Sequence, residues 1–377
     1  MKFIDLDRQY NVIGKEIEER MRRVMKNKSF IMGPEIDELE CALAEYVGRK
    51  YAITCASGTD ALVIPLMAYE LKKGDAVFVP AFTFYASAES IVLAGGTPVF
   101  VDCNSSYNID TLDLENQIKK VLDEGKLIPR GIIAVDLFGQ PADYDEINII
   151  AKKYNLFVLE DAAQGFGGLY KGSRACSFGN VSATSFFPAK PLGCYGDGGA
   201  IFTDDDELAI KLKSIRVHGM GMNRYDNIRV GLNGRMDTLQ AAVVLPKLSI
   251  FNDELDKRNV IAERYMEKLG PEFIIPVIPE EKVSSWAQFS LLAKDGKQRK
   301  LIIEEMRKKD IPIMVYYPIP MHLQTAFQYL GYKKGDLPRC EDYAERIFSI
   351  PMHPYLTFDE IDFISNSLLE LCKGEGL

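Results

Sequence analysis

Three short segments carry side chains that could act together on one ligand. Ser185-Phe186-Phe187-Pro188-Ala189-Lys190-Pro191-Leu192-Gly193 sets a single lysine among aromatic, proline and glycine neighbours, with no acid beside it. A lysine in apolar surroundings has a depressed pKa, and its neutral amine is a nucleophile towards an aldehyde. Pro191 pushes Lys190 towards an extended backbone. The plainer reading is a surface lysine on a loop. Leu159-Glu160-Asp161-Ala162-Ala163-Gln164 closes an apolar run with acids, and Asp161 there could hold a positive group beyond the carboxyl end of a strand. Its plainer reading is a helix cap. Cys55-Ala56-Ser57-Gly58-Thr59-Asp60 joins a strand candidate to a helix candidate, so its backbone N–H groups and hydroxyls face one point that favours an anion. Capping by Ser57 or Thr59 is the alternative. An amine, a carboxylate and an anion cup are the three needs of pyridoxal phosphate: an attachment point, a partner for the ring nitrogen, and a phosphate site. Phe84, in Pro80-Ala81-Phe82-Thr83-Phe84, would cover one ring face.

The elements that must hold these segments are legible from residue 51 onward. Short apolar runs at 51–54, 76–79, 97–101, 131–135 and 156–159, bounded by Gly, Pro or Asp, alternate with helical stretches. Such runs are strands buried on both faces, and the helices between them are the crossovers of a largely parallel sheet. The runs at 181–187 and 199–203 have no helix between them, which predicts antiparallel neighbours at one side of the sheet. Two helices precede the sheet, one with Ile17, Met21 and Val24 at helical spacing, the other after Gly33-Pro34 with Ile36, Leu39, Leu43 and Val47. A long helical region is expected from Met236 to Leu269, kinked at Pro246, and charged or amphipathic helices at 300–309 and 358–371. The fold class is α/β, with a large domain over residues 1–250 and a smaller one over 251–377.

Composition narrows the function. The chain has 377 residues, 47% hydrophobic and 26% charged, in the range of ordinary globular proteins. With 45 Lys+Arg against 54 Asp+Glu the net charge is -9, which argues against a nucleic-acid partner. No apolar run approaches the ~18 residues needed to cross a bilayer. Seven cysteines without a CxxC pair read as reduced thiols of a cytoplasmic protein, and three scattered histidines offer no metal cluster. Neither G-x-G-x-x-G nor G-x-x-x-x-G-K-[ST] occurs, which sets aside nicotinamide dehydrogenases, Rossmann epimerases and P-loop NTPases.

Taken in order along the whole chain, six segments resemble the sugar aminotransferases of the DegT/DnrJ/EryC1/StrS group. They are Phe30-Ile31-Met32-Gly33-Pro34-Glu35, Ala56 to Leu62, Glu160 to Gln164, Ser185 to Gly193, Gly198-Gly199-Ala200 and Tyr317-Pro318-Ile319-Pro320. The resemblance implies a fold-type I aminotransferase, with a mostly parallel seven-stranded sheet between helices, that forms a homodimer sharing its active sites. It implies that Lys190 attaches the coenzyme and shuttles the proton, that Asp161 pairs with the ring nitrogen, and that Gln164 lies near the ring hydroxyl. Phe84 would stack on the ring. Gly58, Thr59 and Ser185 would hold the phosphate, with Asn233 of the partner subunit. The amino donor would be L-glutamate, leaving as 2-oxoglutarate.

Within the group the chain is most similar to enzymes that aminate C-3 of a UDP-linked 3-keto-N-acetylhexosamine or its uronic acid, for cell-surface polysaccharide or lipid A. Arg235 matches the arginine that would reach a sugar carboxylate, and Tyr317 and His322 would line the sugar site. The chain departs from the uronate pattern at Tyr316, which stands where a histidine is expected. This keeps the non-uronate 3-keto-N-acetylglucosamine open. The alternatives are a 4-keto or dTDP-linked sugar, and a PLP-dependent sugar dehydratase or regulator; the dehydratases carry histidine in place of the lysine, whereas Lys190 is present.

Overall fold

The computed structural model describes residues 1–223, 225–270 and 272–373. Seven strands form the central sheet: β1 (Tyr51–Cys55), β2 (Asp75–Pro80), β3 (Thr97–Val101), β4 (Ile128–Val135), β5 (Phe157–Asp161), β6 (Val181–Ser185) and β7 (Gly199–Thr203). Their order across the sheet is β1-β7-β6-β5-β4-β2-β3. Pairs β2–β3, β2–β4, β4–β5 and β5–β6 are parallel. Strand β7 alone runs the other way, pairing antiparallel with both β6 and β1. The runs at 181–187 and 199–203 are thus antiparallel neighbours, as their missing crossover predicts.

Side chains alternate across the sheet, so one strand feeds two cores. Val77 and Val79 of β2 join Ile53, Ile133, Leu159 and Ile201 on one face, with the helix Gly58–Ala68 packed over them. Ala76 and Phe78 join Val99, Val101, Ile132 and Val158 on the other. Burial on both faces is why these strands read as unbroken apolar runs.

The first two helices are Leu6–Asn27, capped by Asp5 through the Arg8 N–H at 3.1 Å, and Pro34–Val47, with proline at its first position. The long region after 236 differs from expectation. It is two helices, Thr238–Ser249 and Phe251–Leu269, and the break falls at Ile250, while Pro246 lies inside the first. Strands β8 (Phe289–Leu292) and β9 (Ile347–Ile350) pair antiparallel. They share a separate core with the last helix, Phe358–Lys373, including Tyr265, Ile302, Phe348 and Ile361. The helix expected at 300–309 starts sooner, at Gly296, because the Asp295 carboxylate caps the Lys297 and Gln298 N–H groups. No described helix is long and apolar enough to cross a membrane.

Candidate active site

The site lies at the carboxyl ends of β5 and β6, where open parallel sheets bind ligands. Asp161 is the last residue of β5 and is buried. Its carboxylate is tethered on both oxygens: Oδ2 accepts from the Ser87 hydroxyl at 2.7 Å, and Oδ1 from the Ala163 N–H at 3.1 Å. Ser87 in turn shares a 2.9 Å hydrogen bond with Thr83. A turn rather than a helix follows Asp161, so the helix-cap reading fails. Burial raises its pKa, opposed by the Ser87 and Ala163 bonds and the charge of Lys190.

Lys190 stands in the turn after β6, where its amide donates to the Phe187 carbonyl at 2.8 Å. Burial lowers its pKa, and the Asp161 charge pulls the other way. Each charge therefore acts on the other. Its Nζ has no hydrogen-bond partner among the described residues, so this is not a salt-bridged surface lysine. The segment carrying it is held from behind by the helix Thr238–Ser249. Gln240 Oε1 accepts from the Tyr195 N–H at 2.9 Å, and buried Lys247 donates from Nζ to the Gly193 carbonyl at 2.8 Å. The Lys247 ammonium also sits 4.2 Å from the centroid of the Tyr195 ring.

The anion cup forms where β1 meets its helix. Ser57 caps that helix, its hydroxyl accepting from the Asp60 N–H at 3.0 Å. The cap and the cup coexist: the Gly58 and Thr59 N–H groups keep no partner among the described residues. Ser185, ending β6, packs against this turn so closely that a Cβ at Gly58 would stand 2.5 Å from its Cβ. Two free N–H groups at a helix start beside a serine hydroxyl suit a phosphate. Asn233 is exposed, one residue before Gly234, whose carbonyl accepts the Ala56 N–H at 2.9 Å.

Gln164 is buried and fully oriented. Its Oε1 accepts from the Phe138 N–H at 2.7 Å, and its Nε2 donates to the Tyr317 hydroxyl at 2.9 Å. Tyr317 also places its ring 5.9 Å from that of Phe84, which is 52% exposed, and 5.7 Å from that of Tyr316. Arg235 is half-buried, and its Nε is buried without a partner among the described residues. His322 has hydrogen bonds and ring contacts to none of these groups among the described residues. It is buried, its Nε2 lies 3.0 Å from Glu341, and its ring packs edge-on to Tyr332. Sequence reasoning missed Thr83, Ser87, Phe138, Gln240 and Lys247. Thr83 and Ser87 had a faint signal, two hydroxyls four apart at the start of the helix Tyr85–Leu93; the others had none.

An amine with a lowered pKa, a tethered buried carboxylate, two free N–H groups and an exposed aromatic face together fit pyridoxal 5′-phosphate. Comparison with known proteins agrees. Residues 11–369 match the model of the DegT/DnrJ/EryC1/StrS aminotransferase family. The chain is similar to a UDP-2-acetamido-2-deoxy-3-oxo-D-glucuronate aminotransferase of Pseudomonas aeruginosa, 45% identical over 98% of this chain and 99% of the relative. A DegT DnrJ EryC1 StrS aminotransferase from Brucella abortus superposes with a TM-score of 0.96 at 45% identity, covering 99% of this chain and 100% of that one. NtdA from Bacillus subtilis, solved with bound cofactor PMP, superposes at 0.89 with 30% identity, over 99% of this chain and 85% of that one. PMP is the aminated form of pyridoxal 5′-phosphate, the cofactor of these enzymes. From residue 11 to residue 369, in fold and in the order of its site segments, this chain belongs to the DegT/DnrJ/EryC1/StrS aminotransferase family.

Proposed function

We propose that this aminotransferase moves the amino group of L-glutamate to the 3-keto carbon of a UDP-linked 2-acetamido-3-keto-glucuronate, in the cytoplasm, as a homodimer. The near full-length 45% identity to the Pseudomonas aeruginosa enzyme carries the substrate. Bound at the site, pyridoxal 5′-phosphate supplies an aldehyde that links to amines and a ring that draws off the electrons freed at the adjacent carbon. The chain's own residues do the rest. Lys190 provides the attaching amine, whose pKa its burial lowers, and then moves the proton at the substrate carbon. Asp161, held by Ser87 and the Ala163 N–H, keeps the ring nitrogen protonated. Gly58, Thr59 and Ser185 hold the phosphate, joined by Asn233 of the partner subunit. Phe84 covers one ring face, and Gln164 with Tyr317 faces the ring's hydroxyl edge. The buried, unpartnered Nε of Arg235 supports its use on the sugar carboxylate. The seven unpaired cysteines accord with a reducing compartment.

A second reading, the non-uronate UDP-2-acetamido-3-keto-glucose, is favoured by Tyr316, which adds no cation beside a carboxylate. The test is to incubate the protein with glutamate and a panel of UDP- and dTDP-linked 3-keto and 4-keto sugars, with Lys190→Ala as control. The expected result is 2-oxoglutarate and a 3-amino uronate, absent with the control. Amination confined to 4-keto or dTDP-linked sugars would refute the substrate. Glutamate without any 2-oxoglutarate would refute the donor.

A further inference from the structure

Asp136 lies directly behind this site and takes no part in the reading above. It follows β4, and its amide donates to the Asp161 carbonyl at 3.0 Å. Its side chain is wholly buried. Oδ1 accepts from the Ala142 N–H at 3.0 Å and the Tyr144 hydroxyl at 2.7 Å, but Oδ2 has no donor among the described residues. Gly165 packs against it so tightly that a Cβ there would stand 2.6 Å from Oδ2. Within hydrogen-bond reach is Glu160, equally buried. Glu160 takes three donors: the Cys176 N–H at 2.6 Å, the Phe178 N–H at 2.8 Å and the Ser182 hydroxyl at 2.7 Å.

Two buried carboxyl groups this close do not both ionise. The donor count decides which keeps the proton. Both oxygens of Glu160 are met by donors, as an anion requires, whereas Oδ2 of Asp136 is met by none among the described residues. We propose that Asp136 stands protonated at neutral pH, donates from Oδ2 to Glu160, and acts as the positioning residue for the turn that orients Gln164. That turn is Leu137–Gly139, whose Phe138 N–H fixes the Gln164 amide so that Nε2 faces Tyr317.

The charged and titratable groups around the pair agree. Burial is the largest influence and raises both acids; Glu160 raises Asp136 further, while Tyr144 and the Ala142 N–H oppose it. Arg49 favours the anion at Glu160, and Cys176, whose own thiol burial holds protonated, is the remaining neighbour besides Asp161. A neutral Asp136 also spares Asp161 a second adjacent negative charge.

The role towards Gln164 rests on the proposed function; the proton on Asp136 does not. Infrared spectra of the full-length protein at pH 8 test the latter. The carbonyl stretch of a protonated carboxyl should be present in wild type, lost in Asp136→Asn and kept in Glu160→Gln. Its survival in Asp136→Asn, or its loss only in Glu160→Gln, overturns the assignment. Urea unfolding gives a second readout. The native state keeps a proton that the unfolded chain releases, so wild type loses ground to Asp136→Asn as pH rises from 5 to 8, by up to about tenfold in the folding constant per pH unit. A flat ratio overturns it too. Coenzyme titration reads the positioning role: Asp136→Asn, which keeps a donor, should bind as wild type does, and Asp136→Leu at least ~10-fold more weakly. Equal affinity in Asp136→Leu defeats that role. Wild type binding no coenzyme would instead sink the proposed function and leave the infrared result standing.

Discussion

Asp161 is held by a neutral hydroxyl and a backbone N–H rather than by a cation, which leaves its negative charge free for the ring-nitrogen role proposed above. Asp161→Asn can keep a bond to Ser87 while losing that charge. Proton transfer from glutamate should slow by ~10²–10⁴-fold with the coenzyme still bound. Single-turnover absorbance measures this, and a near wild-type rate would take Asp161 out of the chemistry. Gly58 tests the cup by space alone. In Gly58→Ala the new Cβ meets Ser185 at 2.5 Å, so the turn must shift, costing about 1–3 kcal/mol and weakening coenzyme binding. Urea midpoints and coenzyme titration check both effects; an unchanged pair would show that the turn yields freely. Lys190 and Asp161 were legible in the sequence because their neighbours are unusual, an isolated lysine among aromatics and an acid closing an apolar run. Ser87, Phe138 and Lys247 were not. They are ordinary residues whose importance comes only from which distant segment the fold sets against them.

Among the elements, the helix Thr238–Ser249 bears most directly on the site, since Gln240 and Lys247, two turns apart, grip the segment that carries Lys190. Burial lowers the Lys247 pKa to about 8, opposed by Glu254 and Cys194. Below pH 8 both folded and unfolded chains carry this charge, and the native state bears the full desolvation cost. Between pH 8 and about 10.4 the unfolded chain binds the extra proton, so this residue's contribution improves as pH rises. Wild type should therefore gain on Lys247→Met over that window, by on the order of 3 kcal/mol. Chemical denaturation at pH 7 and pH 10 checks it, and parallel profiles would show that Lys247 does not titrate there. The strands were legible because double burial writes itself as apolar runs. The helix break at Ile250 was not, because proline is the louder signal and Pro246 is accommodated within the helix.

At the scale of the whole molecule, the first and last helices are joined through Arg8, which forms a two-pronged ion pair with Glu360 at 2.7 and 2.8 Å and donates to the Tyr355 carbonyl. Arg8 holds the Glu360 pKa down to about 2, against the effect of burial. A depressed carboxyl stabilises the fold above its unfolded pKa of about 4.3 and loses that contribution as pH falls towards 2. Glu360→Gln should thus cost about 1–2 kcal/mol at pH 7, discounted for partial exposure, and nothing near pH 2. Melting across that range measures it; a constant deficit would assign the loss to packing. We propose residues 251–377 as the second domain, on the strength of their separate core.

The reversed strand β7 has one more consequence. It sends the chain back to the end of the sheet from which it left, so the segment bearing Lys190 has both feet planted there: Gly199 registers with Ser185 on one side and Cys55 on the other. Cys55 is far from Gly199 along the polypeptide, and non-local pairings of that kind slow folding. On the proposed reading, a coenzyme seated on this segment needs β1 and β7 already joined.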